Sequence, residues 1–216
     1  MQPISQINSP APAKRTNAEI REENEALILS AAEMVFAVNG FHGASMQQIA
    51  DESGLPKSNI LYYFQTKKNL YRLVLENMLS DWMEASATFE NSDDPREVIT
   101  NYVQAKMQLA HDRPYGSIVW AKEIMSGAPV MEEFLSGSLK SWTHERVIML
   151  ERWMAEGKIS ITDPHAFMYL IWSSTQHYAD FKSQIAILND HQEFSEKAFQ
   201  AKTEALTQMI LGSAGL

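Results

Sequence analysis

Two clusters of side chains are suited to recognition chemistry. Lys57, Ser58, Asn59 and Tyr62 lie close together in the chain. A cation, a hydroxyl, an amide and a phenol are the groups that meet phosphate oxygens and base edges. Far along the chain, Trp172, Thr175, Gln176 and Ala179 are spaced as a helix needs to put them on one face. A flat indole beside a hydroxyl and an amide suits a small, planar, polar molecule, and a packed core with a satisfied hydrogen bond is the competing reading of that face. Catalytic spacings are missing: there is no nucleophile–base pair, carboxylate dyad or metal cluster, and His177 with Asp180 is only a weak pair. The chain therefore reads as a non-enzyme without cofactor or metal.

The elements that position these groups are helical. Leu27, Ile28, Ala31, Ala32, Val35 and Phe36 recur at helical spacing from about Asn24, and Asn39-Gly40 is a stop. Ser45 and Gln48 have the form of a capping box for a short second helix that turns Ile49 and Ala50 inward and ends before Gly54. Pro56 fits the first turn of a third helix reaching about Tyr63. Helix, glycine turn and helix make a helix-turn-helix, with Ile49, Leu55, Ile60 and Leu61 as its shared core and Lys57, Ser58, Asn59 and Tyr62 on the second, groove-entering helix.

Thr66 then caps a long fourth helix to about Phe89, with Leu70, Leu73, Val74, Met78 and Trp82 as its buried stripe. Asp94, Pro95 and Glu97 open the next helix. Pro114, Gly127 with Pro129, Gly157 and Asp163-Pro164 divide the remainder into four or five more. The segment 163–181 is apolar on nearly all helix faces and must be covered on several sides. With the last helix, about Phe194 to Leu211, it predicts a four-helix bundle formed by two copies of the chain. The predicted fold is all-α: an arm over 1–20, a three-helix DNA-binding domain over 21–68 and a ligand-binding and dimerisation domain over 69–216. Within the arm, Pro-rich Ser9 to Pro12 leads to Lys14 and Arg15, which either enter a minor groove or stay solvated.

The hydrophobic share of 45% supports a substantial core, and a net charge of −9 argues at first against a nucleic-acid partner. The charge is segregated, however. Residues 1–75 carry seven Lys or Arg against seven Asp or Glu, while the rest carries 11 against 20. Gly54 to Leu75 holds Lys57, Lys67, Lys68 and Arg72 with no acid, a local cationic surface. The absence of cysteine rules out disulfides and Cys-based zinc sites and is compatible with a reducing cytosol. No signal sequence and no uninterrupted apolar span is visible, so a cytoplasmic protein without a membrane partner is expected.

Helix 1 ending in Asn39-Gly-Phe-His-Gly43, then Ile49-Ala50, Leu61-Tyr-Tyr-Phe64, Lys67 and Leu70-Tyr71 resemble the TetR family DNA-binding domain over about Ala26 to Leu75. The resemblance implies that Ser45 and Gln47, Lys57 and Tyr62, and Lys67 touch DNA. Lys67 has an independent argument, since a cation beside an exposed helix N-terminus is unfavourable unless an anion joins it. Pro56 departs from the family pattern, which often has a capping Ser or Thr there. Trp172 to Phe181 and Met125 to Pro129 are similar to the pyrimidine-utilisation regulators within that family. That similarity implies a homodimeric regulator, most simply a repressor, that binds a double-stranded DNA operator and takes uracil or thymine as its effector. In it, Gln176 would meet a carbonyl and its adjacent N–H, Trp172 would wall the pocket, and Thr175, His177 and Trp82 would join them. Trp82 and Trp120 have a second reading as core, as do His177, Tyr178 and Asp180, while Trp142 and Trp153 carry no functional argument. A regulator sensing a drug or acyl compound is the rival, recognisable by a tunnel lined only by Met, Phe and Leu.

Overall fold

The computed structural model describes residues 16–216, and the expectations for Ser9 to Pro12, Lys14 and Arg15 lie outside those residues. The described residues contain helices and turns only. The N-terminal elements are α1 (Asn17–Gly43), α2 (Met46–Ser53), α3 (Lys57–Phe64) and α4 (Lys67–Ala85). Helix α1 starts earlier than its apolar pattern does, because Thr16 and Glu19 form a complete capping box and the first turns are polar and exposed. Its regular course ends as expected at Gly40, whose φ of +68° is accessible mainly to glycine. By length and mean hydropathy α1 is able to cross a bilayer, but Ile28, Ala31, Ala32, Val35 and Phe36 are buried in the core.

The helix-turn-helix forms as the sequence predicts. Ser45 caps α2 and exchanges hydrogen bonds with Gln48, and Gly54 closes the helix in the left-handed region. Pro56 is the N-cap of α3 and offers no side-chain acceptor. Ile49 and Ile60 are fully buried and Leu55 packs against them, but Leu61 is exposed and does not belong to that core.

Helix α4 stops at Ala85, short of Phe89, where Ser86 turns back on Met83 and accepts a hydrogen bond from Trp142 Nε1 at 3.0 Å. The short α5 (Thr88–Asn91) follows, then α6 (Pro95–Asp112), capped by Asp94, and α7 (Pro114–Met125). Then come α8 (Glu132–Phe134), one π-helical turn at Leu135–Leu139, α9 (Lys140–Ala155), α10 (Pro164–Asp180), α11 (Lys182–Leu188) and α12 (Glu196–Ser213). That is one helix more than the breaks after Pro114 predict.

Two cores hold the chain. One joins α1 to α4 but also takes in Val119 and Trp120 of α7, so it does not end at residue 68. The other lies between α6, α9, α10 and α12, with Trp153 fully buried at its centre. Helix α7 is the seam. Arg113, just before it, pairs with Glu33 of α1 and Asp81 of α4. Lys122 donates to the Ala37 carbonyl, and Glu123 accepts from Tyr71 Oη at 3.1 Å and from the Val130 amide at 2.6 Å.

Candidate DNA-reading face and effector cavity

The predicted recognition residues share one surface. Ser45, Gln47, Lys57, Ser58 and Tyr62 are exposed, and Asn59 is half-buried. Tyr62 is 75% exposed although the next two residues of α3 turn inward. Its companion Tyr63 explains why: Tyr63 turns inward to accept a hydrogen bond from Asn24 Nδ2 of α1 at 3.2 Å, and Phe64 is buried behind it. Gln47 is held by Asp51 at 2.8 Å.

Lys67 has partners different from those its position at a helix N-terminus predicts. Its ammonium donates to the carbonyls of Ala44, at 2.8 Å, and His42, at 3.4 Å, and lies over the Phe41 ring. The turn that ends α1 supplies the negative pole that the lysine needs, so the argument for an external anion there falls away. The free cations of the surface are Lys57 and Lys68, for which the described residues provide no ion pair, whereas Arg72 is bound to Glu76 at 2.6 Å. Between α3 and α4, Gln65 adopts φ +58° and ψ −55° and the Thr66 amide donates to the Phe64 carbonyl at 2.6 Å, a tight γ-turn.

A second site lies inside the C-terminal part. Leu79, Trp82 and Met83 of α4, Tyr102 and Lys106 of α6, Trp120 of α7, Leu139 and Trp142 before and on α9, and Trp172 and Gln176 of α10 line a partly open cavity of about 60 Å³. At roughly 10–15 Å³ per water-sized sphere, that is room for a handful of waters or one small ring. Trp82 and Trp120 meet edge to face with centroids 5.3 Å apart, and Trp142 and Trp172 lie 6.3 Å apart, inclined at 34°. Trp172 Nε1 donates to Tyr102 Oη at 2.9 Å, which leaves the phenolic proton of Tyr102 free to be donated. Gln176 makes no hydrogen bond to any described residue.

The structure thus brings Trp82, Trp172 and Gln176 together and leaves out two other candidates. Thr175 is fully buried with its hydroxyl on the Ile171 carbonyl at 2.7 Å. Consecutive helix residues are about 100° apart, so Gln176 faces the cavity and Thr175 faces the packed side. His177 is exposed and stacks on Phe181. Asp180 accepts from Ser117 Oγ at 2.6 Å and pins α10 to α7. Among the described residues no group of three or more His, Asp or Glu is placed to hold a metal ion.

Tyr102, Lys106 and Trp142 were not anticipated. A signal for Lys106 exists, since it falls on the α6 stripe formed by Val98, Ile99, Tyr102, Val103 and Met107, where an unpaired charge is out of place. Lys106 is only 3% exposed and its Nζ lies 4.1 Å from the Trp82 ring centroid. Burial pulls its ammonium down to about 7, opposed by the carboxylate of Asp180.

Residues 28–74 match the family described as bacterial regulatory proteins, tetR family, and residues 75–216 match the C-terminal region of YcdC-like proteins. The chain is 35% identical over 184 residues to the HTH-type transcriptional regulator RutR of Escherichia coli K12, covering 85% of this chain and 87% of that protein. Among solved structures, the TetR family transcriptional regulator PfmR from Thermus thermophilus superposes with a TM-score of 0.68 at 16% identity, over 86% of this chain and 97% of that one. A regulatory protein of the tetR family from Rhodococcus RHA1 gives 0.66 at 17%, over 89% and 97%.

Proposed function

Since the chain belongs to the TetR family of bacterial regulatory proteins, we propose that it is a cytoplasmic, homodimeric repressor whose operator binding is controlled by a single-ring pyrimidine, uracil or thymine. The observation that carries the effector half is the cavity: four indoles and one unengaged amide, Gln176, around a space the size of one ring. An aromatic ring stacks on such walls, and the amide offers a donor and an acceptor to a neighbouring carbonyl and N–H. A long acyl chain needs a longer apolar tunnel than this space provides.

Ser45, Gln47, Lys57, Ser58, Asn59 and Tyr62 form the operator-facing surface, with Tyr62 and Lys57 as its most exposed reach. Lys67 serves that surface by locking the α1–α2 joint to the start of α4 rather than by offering a free cation. Dimerisation uses the outer faces of α10 and α12, where Tyr169, Leu170 and Met209 are exposed large apolar residues. Two copies then present paired reading helices to half-sites about 34–36 Å apart. Coupling runs through α4, which lines the cavity with Leu79, Trp82 and Met83 and leads at its other end directly into α3. A ligand that favours one tilt of α4 shifts the spacing of the two heads by its differential affinity for the two states.

Calorimetric titration with uracil and thymine, against a long-chain acyl compound as contrast, tests the effector. Micromolar binding of a pyrimidine that is lost in Gln176→Ala is expected. Acyl binding without pyrimidine binding would overturn the effector assignment and leave the DNA-binding role standing.

A further inference from the structure

The least explained group in the cavity is Lys106. A lysine 97% removed from solvent ordinarily has a carboxylate or several acceptors around its nitrogen. Among the described residues, none accepts a hydrogen bond from Lys106. Its neighbours are the face of Trp82 at 4.1 Å and, beyond ion-pair distance, Asp180, whose Oδ1 accepts from Ser117. The ammonium therefore offers three N–H groups at the wall of a cavity. Tyr102 supplies a further free O–H, and Gln176 supplies the only amide. The donors outnumber the acceptors.

From this arrangement we infer that Lys106 is the specificity-determining arm of the cavity, donating to a ring carbonyl, and that the ligand class is the cyclic imide, with a carbonyl on each side of a ring N–H. Gln176 meets one carbonyl and the N–H, and Lys106 with Tyr102 meets the second carbonyl. The inference deepens the effector reading above and rests on a small ring occupying this cavity. A ring that carries an amino group in place of that second carbonyl would set donor against donor in that orientation.

The same geometry makes binding depend on pH. The titratable groups facing Lys106 are Asp180 of α10, its carboxyl raised by burial, and Tyr102 of α6, its phenol raised by burial. Trp82 of α4 and Trp120 of α7 are uncharged, the buried Arg146 of α9 lies over the Trp142 ring and acts on Tyr102, and His177 of α10 acts on Asp180. The neutral amine keeps two N–H groups, but the ammonium is the much stronger donor to a carbonyl, so with the free amine balanced near 7 a bound imide favours the proton on Lys106 and draws it from the buffer. The charge-assisted part of the contribution is full below that value and is lost as pH rises through it, which predicts affinity up to about tenfold weaker at pH 8 than at pH 6 and uptake of up to about half a proton at pH 7.

The test titrates the full chain with uracil, cytosine and two ring imides that are not pyrimidines, hydantoin and succinimide, at pH 6 and pH 8, in wild type and Lys106→Met. The expected result is uracil binding with that pH slope, and loss of at least about tenfold affinity and of the slope in Lys106→Met, while cytosine, which keeps one carbonyl for Lys106 but needs the Gln176 amide turned over, binds more weakly than uracil. The variant should melt no lower than wild type, because it removes an unpaired buried cation. Uracil binding that is flat with pH, or unchanged in the variant, overturns the role of Lys106 and leaves the pyrimidine reading intact. Hydantoin or succinimide binding that depends on Lys106, without uracil or thymine binding, keeps the inference and overturns the pyrimidine reading. Binding of no ring imide overturns both. If Lys106→Met fails to fold, the wild-type pH slope alone decides.

Discussion

The reading head and the cavity are built by opposite strategies. The side chains of the head lie between Ser45 and Tyr62, within a short stretch of sequence, and local devices set its course, the Ser45–Gln48 box and the Gly54 turn, with one long-range tie from Tyr63 to Asn24 of α1. The cavity takes its walls from five helices whose contributing residues run from Leu79 to Gln176, and the indole N–H groups of Trp142 and Trp172 are held by Ser86 and Tyr102, both distant in sequence. The difference teaches that recognition of a long, regular polymer needs a rigid local edge, whereas enclosure of a small molecule needs contributions from the whole fold.

Substitutions can break this contrast or sharpen it. The largest effect should come from Arg113→Ala, which leaves the carboxylates of Glu33 and Asp81 facing each other at the seam. Chemical denaturation should show a loss of about 2–3 kcal/mol, and an unchanged midpoint would mean that the two regions are energetically independent. Tyr62→Ala removes a side chain that is three-quarters exposed in the free protein and meets only the edge of Tyr63 among aromatic neighbours. Operator affinity should fall about tenfold or more while thermal stability stays within about 0.5 kcal/mol of wild type, and a lower melting temperature would place Tyr62 in the core. Ser45→Ala deletes the capping box of α2 and should cost about 1 kcal/mol of stability, measurable in the same melts; no change would detach the head from its local caps. The smallest effect belongs to Lys57→Ala, which should lower the slope of log affinity against log salt by about one unit and weaken binding uniformly across sequences. A sequence-selective loss would show instead that Lys57 reads a base.

The same contrast explains what the sequence made legible. Caps, stops and turns are local, so Ser45, Gly54, Thr66, Asp94 and Asp163 marked helix boundaries that the structure keeps. Helix α4 was read too far because Ser86 breaks it through a partner on α9, Trp142, distant in sequence. The helix-terminus argument for an anion at Lys67 overlooks its partners for a related reason. Its helix N-terminus is visible in the sequence, but the carbonyls of His42 and Ala44 reach it only in the fold. Spacing grouped Thr175 with Trp172 and Gln176, but only the latter two line the cavity, since residues three and four apart share a face only to within the width of a helix stripe. Tyr102, Lys106 and Trp142 required tertiary contacts to be found.

The γ-turn at Gln65 and Thr66 has a mechanical consequence. A longer linker would act as a spring between α3 and α4 and absorb small motions. Here a single backbone hydrogen bond closes the connection, and Lys67 clamps the next residue to the end of α1. The joint behaves as a rigid elbow, so a tilt of α4 arrives at the reading helix undamped, and the lever arm rather than the hinge sets how far that helix swings.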